Sequence, residues 1–120
     1  MSEKVQKLWG RLRERLLELG SGSFNATQGY ISFKSEATMV CYLKFRKNQI
    51  NVGIRRGYEK VNGVFSSNFF TLDDPKKLAQ EKSWTQKSGD VGMSYSIPFK
   101  SSESIDYVMF LIKQKYEALN

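Results

Sequence analysis

From Glu3 to Leu19 the apolar residues Val5, Leu8, Trp9, Leu12, Leu16 and Leu19 recur at helical spacing. Ser2 stands where an N-cap belongs and Gly20 just past the end, so an amphipathic helix is predicted. Its other side mixes Glu3, Lys7, Arg11, Glu14 and Glu18, the pattern of a solvated face with i,i+4 pairs. Residues Gly20 to Gly29 (GSGSFNATQG) read as a Gly/Ser-rich connection without the GxxxxGK[ST] spacing that cradles phosphates. The period then changes from 3.6 to 2. Tyr30 to Lys34, Thr38 to Arg46 and Gln49 to Arg56 alternate as strands, and Val91 to Phe99 does so most cleanly. A second helical stripe runs from Glu103 to Leu119 through Ile105, Val108, Met109, Ile112, Tyr116 and Leu119, behind a Ser101 or Ser102 cap.

The middle strands carry the main inference. If Lys47 and Asn48 form a two-residue turn, with Asn48 accepting positive φ, Phe45 opposes Ile50, Leu43 opposes Val52 and Cys41 opposes Ile54. Met39 would share that apolar face. Alternation then sends Tyr42, Lys44, Arg46, Asn51 and Arg55 together to the other face. Gly57 to Leu72 is ambiguous between one more short strand and a loop packed on an edge. Asp73-Asp74-Pro75 reads as a capped start of a short KKLAQ helix. A strand around Trp84 and a Ser88-Gly89-Asp90 turn follow. The expected fold is α+β: a two-layer sandwich, mainly antiparallel sheet, with N- and C-terminal helices on one face and the other face open to water. One domain over residues 1–120 is the expectation for this length.

Charge sharpens the picture once it is located. Of the net +7, a surplus of +5 falls between Lys34 and Lys60, where seven basic residues meet Glu36 and Glu59. Such a surplus can be a solvated face that keeps the chain in solution. It can also be a polyanion footprint, because Arg and Lys meet phosphates while interleaved rings stack on bases. Tyr30, Lys34, Tyr42, Lys44, Arg46, Lys47, Arg55 and Arg56 are the residues expected to contact DNA or RNA. Outward Gly53, Gly92, Ser94 and Ser96 would leave a flat floor, which suits a protein partner or a homodimer as well.

Chemistry is thin by comparison. There is no histidine and one cysteine, Cys41, which excludes an internal disulfide and a Cys-based zinc cluster and removes the commonest general base. The [DE]xK triplet Asp74-Pro75-Lys76 carries a proline at an apparent helix start, which argues against a strand-borne nuclease site. Asp73 and Asp74 read as capping residues, Cys41 as a buried inert hydrophobe and Trp9 as core. Trp84 is balanced between edge packing and an exposed contact. No catalytic site, metal or cofactor is expected. Apolar runs fall far short of the ~20 residues of a membrane span and the N-terminus lacks a secretory apolar core, so no membrane association and a cytoplasmic location are expected.

The runs Tyr30-Ile31-Ser32-Phe33-Lys34, Leu72-Asp73-Asp74-Pro75, Ser88-Gly89-Asp90-Val91, Tyr107-Val108-Met109, Leu111-Ile112-Lys113-Gln114 and Tyr116-Glu117 span most of the chain. Through them it resembles an uncharacterised bacterial and archaeal domain. That domain is found at the C-terminus of longer chains labelled predicted transport proteins, and near restriction-endonuclease-like modules. The resemblance implies the fold and an accessory role beside nuclease modules, and no catalytic signature. Two departures stand out: Trp84 lacks the preceding His of the family's His-Trp pair, and Gly57 to Leu72 resembles an insertion.

Overall fold

The computed structural model describes residues 1–119. Helix α1 (Glu3–Leu17) is followed by strands β1 (Ser23–Thr27), β2 (Tyr30–Ser35), β3 (Thr38–Phe45), β4 (Ile50–Glu59), β5 (Gln80–Thr85) and β6 (Val91–Phe99). A 3-10 turn (Ser102–Ser104) then leads into helix α2 (Ile105–Leu119). The six strands form one antiparallel sheet in the order β1-β2-β3-β4-β6-β5. The fold is α+β, as expected.

Capping serines start α1 and the 3-10 turn that leads into α2. The Ser2 side chain accepts the Val5 N–H at 3.2 Å, and the Ser101 hydroxyl accepts the Glu103 N–H at 3.2 Å. Val5, Leu8, Leu12 and Leu16 of α1 and Val108, Leu111 and Ile112 of α2 are buried against Phe33, Leu43, Val52, Ile54, Ile97 and Phe99 of the sheet. Arg15 of α1 reaches Asp106 of α2 at 2.7 Å. Trp9 is half-buried, meeting Phe24 and Phe45 edge-on at 5.4 and 5.6 Å.

The β3–β4 hairpin has the expected register, Phe45 opposite Ile50 and Leu43 opposite Val52, closed by the Arg46 N–H on the Gln49 carbonyl at 2.8 Å. Asn48 closes it without entering the left-handed region. Three expectations are corrected. The Gly20 to Gly29 stretch contains β1, turning back on β2 with Gly29 at φ 96; its apolar content, Phe24 and Ala26, is too sparse to show as alternation. A bulge between β2 and β3 puts Val40 in the core and aligns Met39 with Lys34, off the apolar face. The KKLAQ segment is not a helix: Lys77 adopts φ 52 and the chain passes directly into β5.

Asp74 organises that turn. Its carboxylate accepts the N–H groups of Leu78 at 3.2 Å and Ala79 at 2.8 Å, and the Tyr107 hydroxyl of α2. Burial opposes its charged form, but the Tyr107 and backbone hydrogen bonds outweigh this and hold its pKa below the ordinary 3.8. Asp74→Ala should therefore cost about 1.5–3 kcal/mol at neutral pH, read by urea melts. Because the folded pKa is the lower one, that contribution is complete above 3.8 and fades as pH falls through the folded value. A gap between wild type and variant that failed to narrow in acid would contradict this role.

The Gly57 to Leu72 segment extends β4 and folds back along it. An isolated bridge pairs Glu59 with Phe65, and the Ser66 and Phe70 N–H groups bond to the Tyr58 and Arg56 carbonyls, each at 2.8 Å. Phe70 and Leu72 close the core, and the Leu72 N–H donates to the Tyr95 hydroxyl at 3.1 Å. Asp90 ties the segment to the β5–β6 turn through the Val61 N–H and Lys60.

Candidate nucleic-acid interface

With both helices on one side, strand alternation determines what the open side carries. β3 contributes Tyr42 and Lys44, β4 Asn51, Gly53 and Arg55, β6 Gly92, Ser94, Ser96 and Pro98, and β5 Gln80, Lys82 and Trp84, as the paired registers require. Between them lies a trough of about 440 Å³ lined by Tyr42, Lys44, Arg46, Lys82, Trp84 and Lys100 over a floor of Gly53, Ser94 and Ser96. None of the described residues lining it is acidic. Lys44, Arg46, Lys82 and Lys100 form no ion pair with a carboxylate among the described residues. Their charges therefore face solvent without a protein counter-ion, the arrangement that raises local anion concentration.

Tyr42 is the centre of the face. Its hydroxyl reaches Ser94 Oγ at 3.4 Å, two strands away, and its ring meets Tyr30 at 5.7 Å. The Lys44 ammonium and Arg55 guanidinium lie 5.9 and 5.7 Å from the ring centroid. A Cβ on Gly53 would fall 2.1, 2.3 and 2.5 Å from three atoms of that ring, so the ring lies flat over the glycine. Trp84 repeats the device one strand further on. A Cβ on Gly92 would fall 2.2, 2.3 and 2.6 Å from three indole atoms, while Tyr58 meets Trp84 edge-on at 6.5 Å. The floor expected to be bare is thus partly tiled by two rings, each placed by a glycine on the neighbouring strand.

The residues expected to meet nucleic acid separate into groups. Tyr30, Tyr42, Lys44, Arg46 and Arg55 gather on the open side. Lys34 faces the same way nearer the β1 edge, aligned with Ser23 and Met39. Lys47 sits in the hairpin turn, where its carbonyl accepts the Ser2 hydroxyl at 2.9 Å, and it does not line the trough. Arg56 is the clear departure. It is the extra residue of a bulge between Arg55 and Gly57 that brings Tyr58 back to the open side opposite Gly92, and alternation after inward Ile54 and outward Arg55 puts Arg56 itself on the helix side. There it ion-pairs Glu81 at 2.5 Å and donates to the Phe70 carbonyl at 3.0 Å between the Phe69 and Tyr95 rings. The same bulge presents the Arg55 carbonyl to Lys115 of α2 at 3.0 Å, and burial lowers the pKa of that lysine.

Sequence reasoning missed Gln80, Tyr58, Lys82, Trp84 and Lys100 as parts of this face. Lys82 and Trp84 carried a usable signal, a period-two pair like Tyr42 and Lys44. It was masked because β5 is an edge strand exposed along its length, without apolar alternation to fix its facing. Lys100 also borders Lys4, Lys7 and Arg11 of α1, extending the basic rim onto a helix whose outer side was expected to be an ordinary solvated face of mixed sign.

Cys41 is fully buried, and burial pushes its thiol up to about 12. Among the described residues no group of three or more His, Cys, Asp or Glu side chains could hold a metal ion. No helix of the described residues is long and apolar enough to cross a membrane. Neither the curated proteins nor the solved structures hold a match to the chain. Residues 1–118 match the family described as Domain of unknown function (DUF5655), and the chain belongs to that family.

Proposed function

We propose that this chain is a non-catalytic accessory module that binds nucleic acid through the basic open face of its sheet. The observation that carries the reading is the trough between β3 and β5, where unpaired Lys44, Arg46, Lys82 and Lys100 surround Tyr42 and Trp84 with no acid among the described lining residues. Phosphates supply the charge such a surface lacks, and binding them releases counterions. A protein partner or second copy would bring its own carboxylates, and the lysines facing the trough are of the kind depleted from protein–protein interface cores. The resemblance to domains found beside restriction-endonuclease-like modules fits an accessory role in holding a strand.

Titration of a fluorescent oligonucleotide, with sedimentation on the same samples, tests the reading. A complex containing one protein chain, weakening steeply with added salt, is the expected result. Absence of binding at about 0.1 M salt, together with a face variant that changes the sedimentation mass of the protein alone, would contradict it and favour an oligomerisation face.

A further inference from the structure

We infer that the open face takes an unpaired strand, with Trp84 as the platform for one of its bases; this rests on the nucleic-acid reading above. Trp84 is 37% exposed although it is a large apolar ring. Gly92 lets the indole lie flat on β6, and Tyr58 buttresses its edge. One indole face is thereby covered by backbone and the other is turned to solvent, ready for a second flat ring. Tyr42 over Gly53 is a second such tile, flanked by the cationic ends of Lys44 and Arg55.

The spacing of the tiles selects the form of the strand. Gly53 pairs with Ser96, four residues along β6 from Gly92, which is about 13 Å at the usual strand rise. Stacked bases in a duplex repeat every 3.4 Å or so and turn their faces toward one another. They offer no face to either ring. An unstacked strand can place one base on each tile while its phosphates follow Lys82 and Lys44, the pattern of sequence-tolerant single-strand binding.

The test uses the intact protein with labelled oligo-dT and oligo-rU of about 15 nucleotides and a duplex of equal length. Binding to either single strand should exceed duplex binding by about tenfold or more. Trp84→Ala should weaken it by about 5- to 150-fold, with Trp84→Phe restoring much of the loss. Strand binding should also quench wild-type tryptophan fluorescence, and the quenching should vanish in the Trp84→Phe protein. Trp84 is on an exposed edge strand, and unchanged thermal melts would show that its variants fold. Equal, salt-dependent binding of duplex and single strands, unaffected by Trp84→Ala, would overturn the base platform and leave the polyanion reading standing. No binding to any of the three probes would remove both.

Discussion

Phe33→Ala should lower the unfolding free energy by about 3–5 kcal/mol, one of the larger losses available to a single substitution in this chain. The ring is fully buried on the second strand of the sheet. It is tilted against Phe24 of β1 at 5.1 Å, and its backbone is aligned with Cys41 of β3. It also fills the space over Gly22, where a Cβ would come within 2.4 Å of it. Ladders on both sides hold the β2 backbone, so the site cannot collapse around the missing ring, and the cavity cost adds to the lost transfer energy. Urea melts with an unchanged m-value are the measurement. A loss under about 1 kcal/mol would mean that the β1–β2–β3 end of the sheet is not part of the core.

What could be read from the residues was whatever repeats with a period. The stripes of α1 and α2 and the apolar faces of β3, β4 and β6 recur at 3.6 or 2, and the structure has them in place. The hairpin register followed from the demand that Leu43, Phe45, Ile50 and Val52 share one side. Without such a stripe β1 stayed hidden, and β5, expected as a strand around Trp84, had nothing to fix its facing. β1 and β5 are edge strands, exposed along most of their length, so burial imposes no alternation on them. The Asp74 turn looked like a helix start because a carboxylate ahead of several N–H groups serves both; the left-handed Lys77 ends the turn instead.

The candidate site was legible to the same extent. Tyr42, Lys44 and Arg55 followed from the hairpin alone, because one register fixes all three. Arg56 was expected there against the same alternation, which points the residue after an outward Arg55 to the helix side; what nothing in Arg-Arg-Gly announces is the bulge that returns Tyr58 to the open face. The trough's far wall needed the pairing of β5 with β6, which is set by tertiary packing. Gly53 and Gly92 were expected to be open floor, whereas each accommodates a ring from the neighbouring strand.

The second large effect follows from the cations that line the trough without a carboxylate partner among the described residues. Reversing Lys44, Lys82 and Lys100 to Glu removes positive charge from both walls and one end of the trough, leaving the core untouched. If phosphates are neutralised there, the log–log dependence of affinity on salt should flatten by about 0.7 for each phosphate of a single strand that loses its cation, about 2 for all three. At about 0.1 M salt affinity should fall on the order of 100-fold or more, because lost counterion release is joined by repulsion. Arg13, Lys76 and Lys113 lie on the helix side, and reversing them gives a charge-matched control. The measurement is the salt dependence of oligonucleotide affinity for wild type, face variant and control. A control that keeps the wild-type slope while the face variant loses most of it is the predicted result. Equal losses in the two variants would reduce the attraction to net charge alone, and wild-type binding no tighter than the face variant's would contradict a nucleic-acid interface on this sheet.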